Sequence, residues 1–373
     1  MKCFSNVGKT ALVAFCCFCC TLSAAQANAS LTTKAELKTK GVNAKYMEIV
    51  GLSPDNKYLC VQGRAVRDAQ NDDIRNLVFV FNVNSDNSLG KLKTFTVNEV
   101  PRIEQIAFAP DSKSIIIVGQ KGAKIVKLDI SSGRVTTIME HVKGQSGFKC
   151  FPPVLTYNHG EMLIQGYYYN EHTVCGPNTI SILDTNKTGL DAFTQANDLD
   201  KMQLETRRGY KNFIETYPRK DIGFMALTKG TGGWDCYRWS DKKGTQEFDK
   251  AQAILGFWGG DNRVIYSAQR TPQSFDLIIY DGEKDEKITL SEGRKDPYTY
   301  VFLSADGKTA LFNEEDDQNK TTKIMYARES EGWEVKPLKD LDRRIRKGSL
   351  RISKDGTKAA QHSSQGIRII DIE

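Results

Sequence analysis

Histidine is scarce in this chain: His141, His159, His172 and His362 are the only four among 373 residues. No two stand at metal-ligand spacing, and no Gly-x-Ser-x-Gly elbow is present to expose a nucleophilic serine. Amphipathic helical runs longer than a turn or two, such as that around Asn197 to Glu205, are missing too. So are apolar stretches of the roughly 18 to 20 residues that cross a bilayer; the longest, Ala11 to Ala25, has about 15. Net charge is small, +6 from 52 basic and 46 acidic side chains mixed along the chain. That is too mild a field to argue for nucleic acid as a partner.

The one apolar run follows Lys2 and Lys9 and ends in small residues, the pattern of a secretory signal peptide. Cleavage is expected after Ala25-Gln26-Ala27, with Ala27-Asn28-Ala29 as the second possibility. Residues 1–27 are then signal and 28–373 the mature, periplasmic or secreted protein, without a membrane span. Cys16, Cys17, Cys19 and Cys20 lack the small residue expected just ahead of a lipidated cysteine. Processing removes five of nine cysteines and two lysines, leaving a charge of +4 and Cys60, Cys150, Cys175 and Cys236, which permit three pairings.

What is present is a repeat. Four stretches share an apolar residue, a five-residue turn and an apolar run: Ser53-Pro54-Asp55-Asn56-Lys57, Ala109-Pro110-Asp111-Ser112-Lys113, Ser304-Ala305-Asp306-Gly307-Lys308 and Ser353-Lys354-Asp355-Gly356-Thr357. Pro presets φ, Asp bonds to nearby amides, and Gly or Asn accepts a positive φ, so each reads as a hairpin turn. Strand signals such as Ser114 to Val118 and Thr309 to Phe312 follow. Ser53 to Ala109 is 56 residues and Ser304 to Ser353 is 49, while Ala109 to Ser304 is 195. Three degenerate repeats fit that gap, at Tyr157 to Gly160, Tyr217 to Lys220 and Gly259 to Asn262.

A period near 50 residues holding four short strands predicts an all-β fold: a single seven-bladed β-propeller of four-stranded antiparallel blades, with six or eight blades as alternatives. The blades are expected at about 46–100, 101–145, 146–198, 199–252, 253–298, 299–344 and 345–373. The last lacks its fourth strand, and residues 31–40 are expected to supply it and close the ring. On its Ser-Pro-Asp turns the mature chain resembles the TolB-type and wider WD-repeat-like propellers. That resemblance implies the fold and says almost nothing of function.

Function in such folds gathers on loops, and the segments expected between second and third strands vary widely. They include Arg67 to Asn76, Asn170 to Asn178, Gly230 to Asp235 and Arg270 to Ser274. Candidate binding residues are Trp234, in a Gly-rich loop where no strand pattern asks for an indole, and Arg270, His172 and Arg67 on the same expected rim. Arg344 belongs to a basic cluster with Arg343, Arg346, Lys347 and Arg351. A disulfide between Cys150 and Cys175 is expected, with a zinc site including His172 as the less favoured reading; no metal, cofactor or catalytic residue is assigned. The acidic segments Asp68 to Asp73 and Glu314 to Asp317 lack the alternating oxygen ligands and glycine of a calcium loop. The sequence thus predicts a monomeric, non-catalytic scaffold that binds a protein, peptide or glycan, with a channel-mouth lactonase, hydrolase or lyase as the alternative.

Overall fold

The computed structural model describes residues 29–39, 47–64, 76–100, 103–119, 122–142, 145–158, 161–169, 178–198, 210–217, 222–229, 233–240, 244–316, 321–339 and 349–372. Their strands form seven four-stranded antiparallel sheets. The first holds Met47–Leu52, Tyr58–Arg64, Asn76–Val83 and Leu89–Thr96; the second Ile103–Phe108, Ser114–Gly119, Lys124–Asp129 and Val135–Glu140; the third Gly147–Asn158, Glu161–Tyr169, Asn178–Leu183 and Phe193–Asp198. The fourth holds Tyr210–Tyr217, Ile222–Lys229, Trp234–Ser240 and Gly244–Ala251; the fifth Ala253–Gly260, Arg263–Thr271, Ser274–Asp281 and Glu286–Arg294; the sixth Val301–Leu303, Thr309–Asp316, Thr321–Arg328 and Lys336–Pro337. The seventh takes Leu350–Ile352, Lys358–His362 and Gly366–Asp371 from the end of the chain and Ala29–Thr33 as its fourth strand. First strands of successive sheets touch in chain order, and that of the seventh touches that of the first.

The four clear turns close by one scheme. The residue after each first strand bonds to the first residue of the second, as Ser53 N donates to Tyr58 O (2.8 Å) and Ser353 N to Lys358 O (2.8 Å). Inside the turn Ser53 Oγ donates to Asp55 Oδ1 (2.6 Å) and Ser353 Oγ to Asp355 Oδ1 (2.7 Å), while the amides of Tyr58 and Lys358 donate to the two serine oxygens (3.0 and 2.9 Å). Ala109 has no hydroxyl, so Asp111 accepts directly from the Lys113 and Ser114 amides (2.8 and 3.1 Å). The fourth turn position is left-handed in all four, at Asn56, Ser112, Gly307 and Gly356.

Turns also tie neighbouring sheets together. Asp55 N donates to Ser112 Oγ (3.2 Å), Ala305 N to Lys354 O (2.8 Å) and Asn56 Nδ2 to Asp355 Oδ2 (2.7 Å). Beside these turns, where the third strands end, a second tie recurs. Lys127 Nζ donates to Thr185 O (3.1 Å), Lys93 Nζ to Ile130 O (2.8 Å), Arg238 Nη1 to Gly282 O and Arg328 Nη2 to Ile372 O. Each acceptor directly follows an aspartate (Asp184, Asp129, Asp281 or Asp371) that ends or follows a third strand.

Below this rim the described sheet faces are apolar. Cys60, Val78 and Val80 of the first sheet meet Ile115, Ile117 and Val126 of the second, whose other face turns Ile116 and Val118 toward Met162 and Ile164 of the third. With both faces covered, Ser114–Gly119 is buried throughout and reads as a continuous apolar run rather than an alternating one. Cys60 and Cys236 are buried free thiols, and burial pushes both well above the usual range. Cys175 lies outside the described residues, so the expected Cys150–Cys175 bridge does too.

The fourth strand of the seventh sheet differs from expectation. It covers Ala29–Thr33, pairing Ala29 with Ile370 through Thr33 with Gly366, and residues Lys34–Thr39 form a helix instead of continuing it. The reason is a capping box: Thr33 N donates to Glu36 Oε2 (2.6 Å) and Glu36 N to Thr33 Oγ1 (3.3 Å). The helix buries Leu37 completely against Met47, Ile49 and Phe81 of the first sheet and Ile367 and Ile369 of the seventh.

Leu37→Ala should therefore loosen the junction of first and seventh sheets, costing about 3 kcal/mol in urea denaturation. Gly356 has φ +71°, and a Cβ there would overlap the Thr309 side chain of the sixth sheet. Gly332 has φ +65° with open space around it. Gly356→Ala should then cost about 3 kcal/mol and Gly332→Ala about 1 kcal/mol, the backbone cost alone. Equal losses would mean that the turn contact between sheets contributes nothing.

Candidate functional site

An open recess of about 490 Å³ lies where the fourth sheet meets the fifth, lined by Gly233, Lys250, Ala251, Gln252 and Arg270. Antiparallel order puts the end of a second strand, the start of a third and the link to the next sheet on one rim, and these five residues come from those places. Gly233, at φ +102°, turns the chain into the third strand, and Trp234 pairs with Ala251 on the fourth. Gln252 is the link, its amide donating to Gln269 O (2.8 Å).

Under the recess lies a charged cluster drawn from four strands. Arg270 holds Asp249 with both terminal nitrogens, Nη1 donating to Oδ1 (3.0 Å) and Nη2 to Oδ2 (2.7 Å), and its Nε donates to Asp276 Oδ2 (2.9 Å). Nη1 also donates to Lys250 O. Tyr266 Oη and Lys287 Nζ complete the ring of donors on Asp249, at 2.7 and 3.0 Å. The forked Arg–carboxylate geometry is the strong form of this contact.

Burial alone would raise the Asp249 carboxyl; the bonds from Arg270, Tyr266 and Lys287 outweigh it and hold it below the usual range. Burial, reinforced by the Asp249 carboxylate to which it donates, pushes the Tyr266 phenol well above its usual value. The cluster is thus an ionised carboxylate under three donors, with a neutral phenol as one of them. It orients Arg270 at the edge of the recess, where four of five guanidinium hydrogens are already engaged.

Two of the residues expected to bind therefore come to one place. Arg270 lines the recess, about a quarter exposed. Trp234 follows Gly233 there, but is half-buried and packs against the cluster of Cys236, Tyr266 and Tyr280 rather than standing clear as an anchor. His172, Arg67 and Arg344 lie outside the described residues. Arg351, from the same basic cluster as Arg344, stands in the first strand of the seventh sheet with its guanidinium over the rings of Trp258 (5.9 Å) and Phe302 (5.6 Å). The acidic segment at Glu314 begins inside the strand Thr309–Asp316, and Arg294 pairs with Glu314 at 2.9 Å. Asp249, Lys250, Gln252 and Lys287 were not anticipated: Phe248-Asp249-Lys250 reads as ordinary alternation in an outer strand.

No family model matches the chain, and no curated protein does. Solved structures do. An oligogalacturonate lyase from Vibrio parahaemolyticus matches with a TM-score of 0.54 at 8% identity, covering 93% of this chain and 97% of that one. An acylaminoacyl peptidase of Pyrococcus horikoshii matches at 0.56 and 12% identity over 88% of this chain and 52% of its own, so the chain spans about half that protein's length. The β-propeller domain of the Trilobed protease from Pyrococcus furiosus, described as having an open velcro topology, matches at 0.53 and 13% identity over 89% and 95%. The likeness is one of fold, and the fold is a β-propeller. Among the described residues no helix is long and apolar enough to cross a membrane.

Asp249→Asn should leave Arg270 and Lys287 facing a neutral amide and cost about 3 kcal/mol in urea. The folded carboxyl titrates below its unfolded value of about 3.9, so its contribution is complete above that pH and fades as pH falls through the folded value. The acid limb of the stability profile should accordingly be shallower in the variant below about pH 4. Parallel limbs would show that Asp249 is not held in its charged form.

Proposed function

We propose that the chain is an exported, monomeric seven-bladed propeller of the TolB or WD-repeat-like kind, working on a protein, peptide or glycan chain at the rim that carries the Arg270 recess. The observation behind this is the recess itself: two cationic side chains, Arg270 and Lys250, with Gln252 between two sheets, one of them set in place by a buried carboxylate. Rigidly supported polar groups at an open concavity suit the capture of a polar chain. The contact of the seventh sheet's first strand with the first sheet's, and the pairing of Ala29–Thr33 with Gly366–Asp371, support the count of seven and the closed ring. Export rests on the apolar segment after Lys2 and Lys9, and it makes a Cys150–Cys175 disulfide chemically reasonable. His172, Arg67 and Arg344 are assigned to the same contact surface on their sequence placement.

A second reading has its own support. The oligogalacturonate lyase covers nearly all of both chains, and the peptidase is likewise named as an enzyme. That favours a captured chain being a substrate for a lyase or hydrolase step at the channel mouth over passive scaffolding. Incubating the mature protein with acidic and neutral oligosaccharides and with a peptide library, followed by mass spectrometry and equilibrium binding, separates the two. New cleavage products establish the catalytic reading, and retention without products the scaffold. In either case the double variant Trp234→Ala, Lys250→Ala should lose about tenfold in affinity or in kcat/KM; an unchanged value would remove this rim from the function.

A further inference from the structure

The opposite rim, where third strands run into fourth strands, carries a second recess of about 430 Å³ between the second and third sheets. Its lining differs in kind from the first. Lys127, Arg134 and Lys187 contribute three cations against the single carboxylate of Asp129, and hydroxyls come from Ser131, Ser132, Thr136, Thr185 and Thr188. The one apolar residue is Ile138, which is buried.

The recess exists because two turns of unequal length face each other. After Asp129 the chain returns to its fourth strand within a few residues, pinched by Gly133 at φ +74° with its amide donating to Asp129 O (2.9 Å). After Asp184 it runs through Thr185 to Thr188 and a 3-10 turn at Gly189–Ala192 before the fourth strand begins at Phe193. The longer connection stands up as a second wall.

Both walls are held. Asp129 Oδ1 accepts from Ser131 Oγ (2.6 Å) and from the amide and hydroxyl of Ser132 (both 2.7 Å), bonds that bring its carboxyl down to about 2, the Ser131 hydroxyl contributing most. Lys93 reaches in from the first sheet to Ile130 O and Ser131 O (2.8 and 3.1 Å). Lys127 crosses to Thr185 O and Asn186 Oδ1, both at 3.1 Å. Lys187 meets Asp184 at 3.6 Å, an exposed pair of little strength.

Arg134 is the exception in this set. Arginines at comparable junctions elsewhere meet carboxylates: Arg263 pairs with Asp281 and Glu329, Arg238 with Asp285 at 3.5 Å, and Arg270 with Asp249 and Asp276. The Arg134 guanidinium has no partner among the described residues, and it lines a cavity whose other cations are only partly engaged. An unmatched guanidinium beside preset hydroxyls is the complement of a planar or tetrahedral oxyanion. The hydroxyl and amide lining, with no aromatic or exposed apolar residue, suits a polyhydroxylated body behind that oxyanion.

We propose that this recess binds an acidic saccharide, with the carboxylate, sulfate or phosphate group of the ligand on Arg134 and its hydroxyls on Thr136, Thr185 and Thr188. The site is independent of the Arg270 rim and stands or falls apart from it. The test is titration of the mature protein at low ionic strength with glucuronate, inorganic phosphate, sulfate and glucose, followed by calorimetry and amide chemical shifts. Glucuronate should bind saturably and shift the amides of 131–134 and 185–188, whereas glucose, which carries no oxyanion for Arg134, should neither bind saturably nor displace it. Arg134→Gln, at an exposed position outside every tie between sheets, should keep the wild-type Tm and weaken binding at least tenfold, about 1.4 kcal/mol; Lys187→Gln should weaken it less. Saturable binding that Arg134→Gln leaves intact, or no saturable binding of any of the three anions, overturns the site. Phosphate or sulfate binding as tightly as glucuronate, with the same loss in Arg134→Gln, supports the oxyanion contact and overturns its restriction to saccharides.

Discussion

An apolar sheet face can slide on another without much cost, and in this chain polar ties from turn to sheet prevent it. The described sheet faces are covered mainly by Val, Ile, Leu and Phe, whose burial drives assembly but is non-directional. The aspartate after each of several third strands orders its own turn, and the carbonyl just beyond it meets a lysine or arginine of the preceding sheet, at Ile130, Thr185, Gly282 and Ile372. On the same rim the Ser–Asp turns bond to one another. Neighbouring sheets are thus pinned to one another along this rim, and the recess between the second and third sheets keeps its shape because of it.

What could be read from the sequence follows the range of the interactions. The Ser53, Ala109, Ser304 and Ser353 turns are closed by groups within five residues of one another, so composition shows them. The third, fourth and fifth sheets have degenerate turns, and their place was fixed only by the interval they had to fill; their second strands do begin after Tyr157 to Gly160, Tyr217 to Lys220 and Gly259 to Asn262. The capping box at Thr33 and Glu36 is equally local, and it divides the 31–40 segment expected as one strand into a strand end and a helix. The Asp249 cluster lies at the other extreme. Its donors stand 17, 21 and 38 residues away on other strands, and no window of sequence contains it. The sequence places Arg270 on a rim loop as a candidate binding residue and cannot show that most of its hydrogens are committed to the protein itself.

The two rims divide the chemistry. On one, charge is paired beneath the surface and the recess presents the remainder of a satisfied network. On the other, the Arg134 guanidinium has no partner among the described residues, and around it stand two lysines, one carboxylate and a set of hydroxyls.

The pairing of Ala29–Thr33 with Gly366–Asp371 has a mechanical consequence. Its partners lie 341 residues apart, Ala29 opposite Ile370, a separation whose length-dependent closure cost alone is about 5 kcal/mol. Because the two strands are antiparallel, the start of the chain and its end leave the ladder at the same edge. Tension applied between them loads the Ala29–Ile370 pair first, then the next, so the sheet peels open one pair at a time instead of resisting in shear. The helix with Leu37 lies just past the last of these pairs and becomes the stop against which the peeling halts.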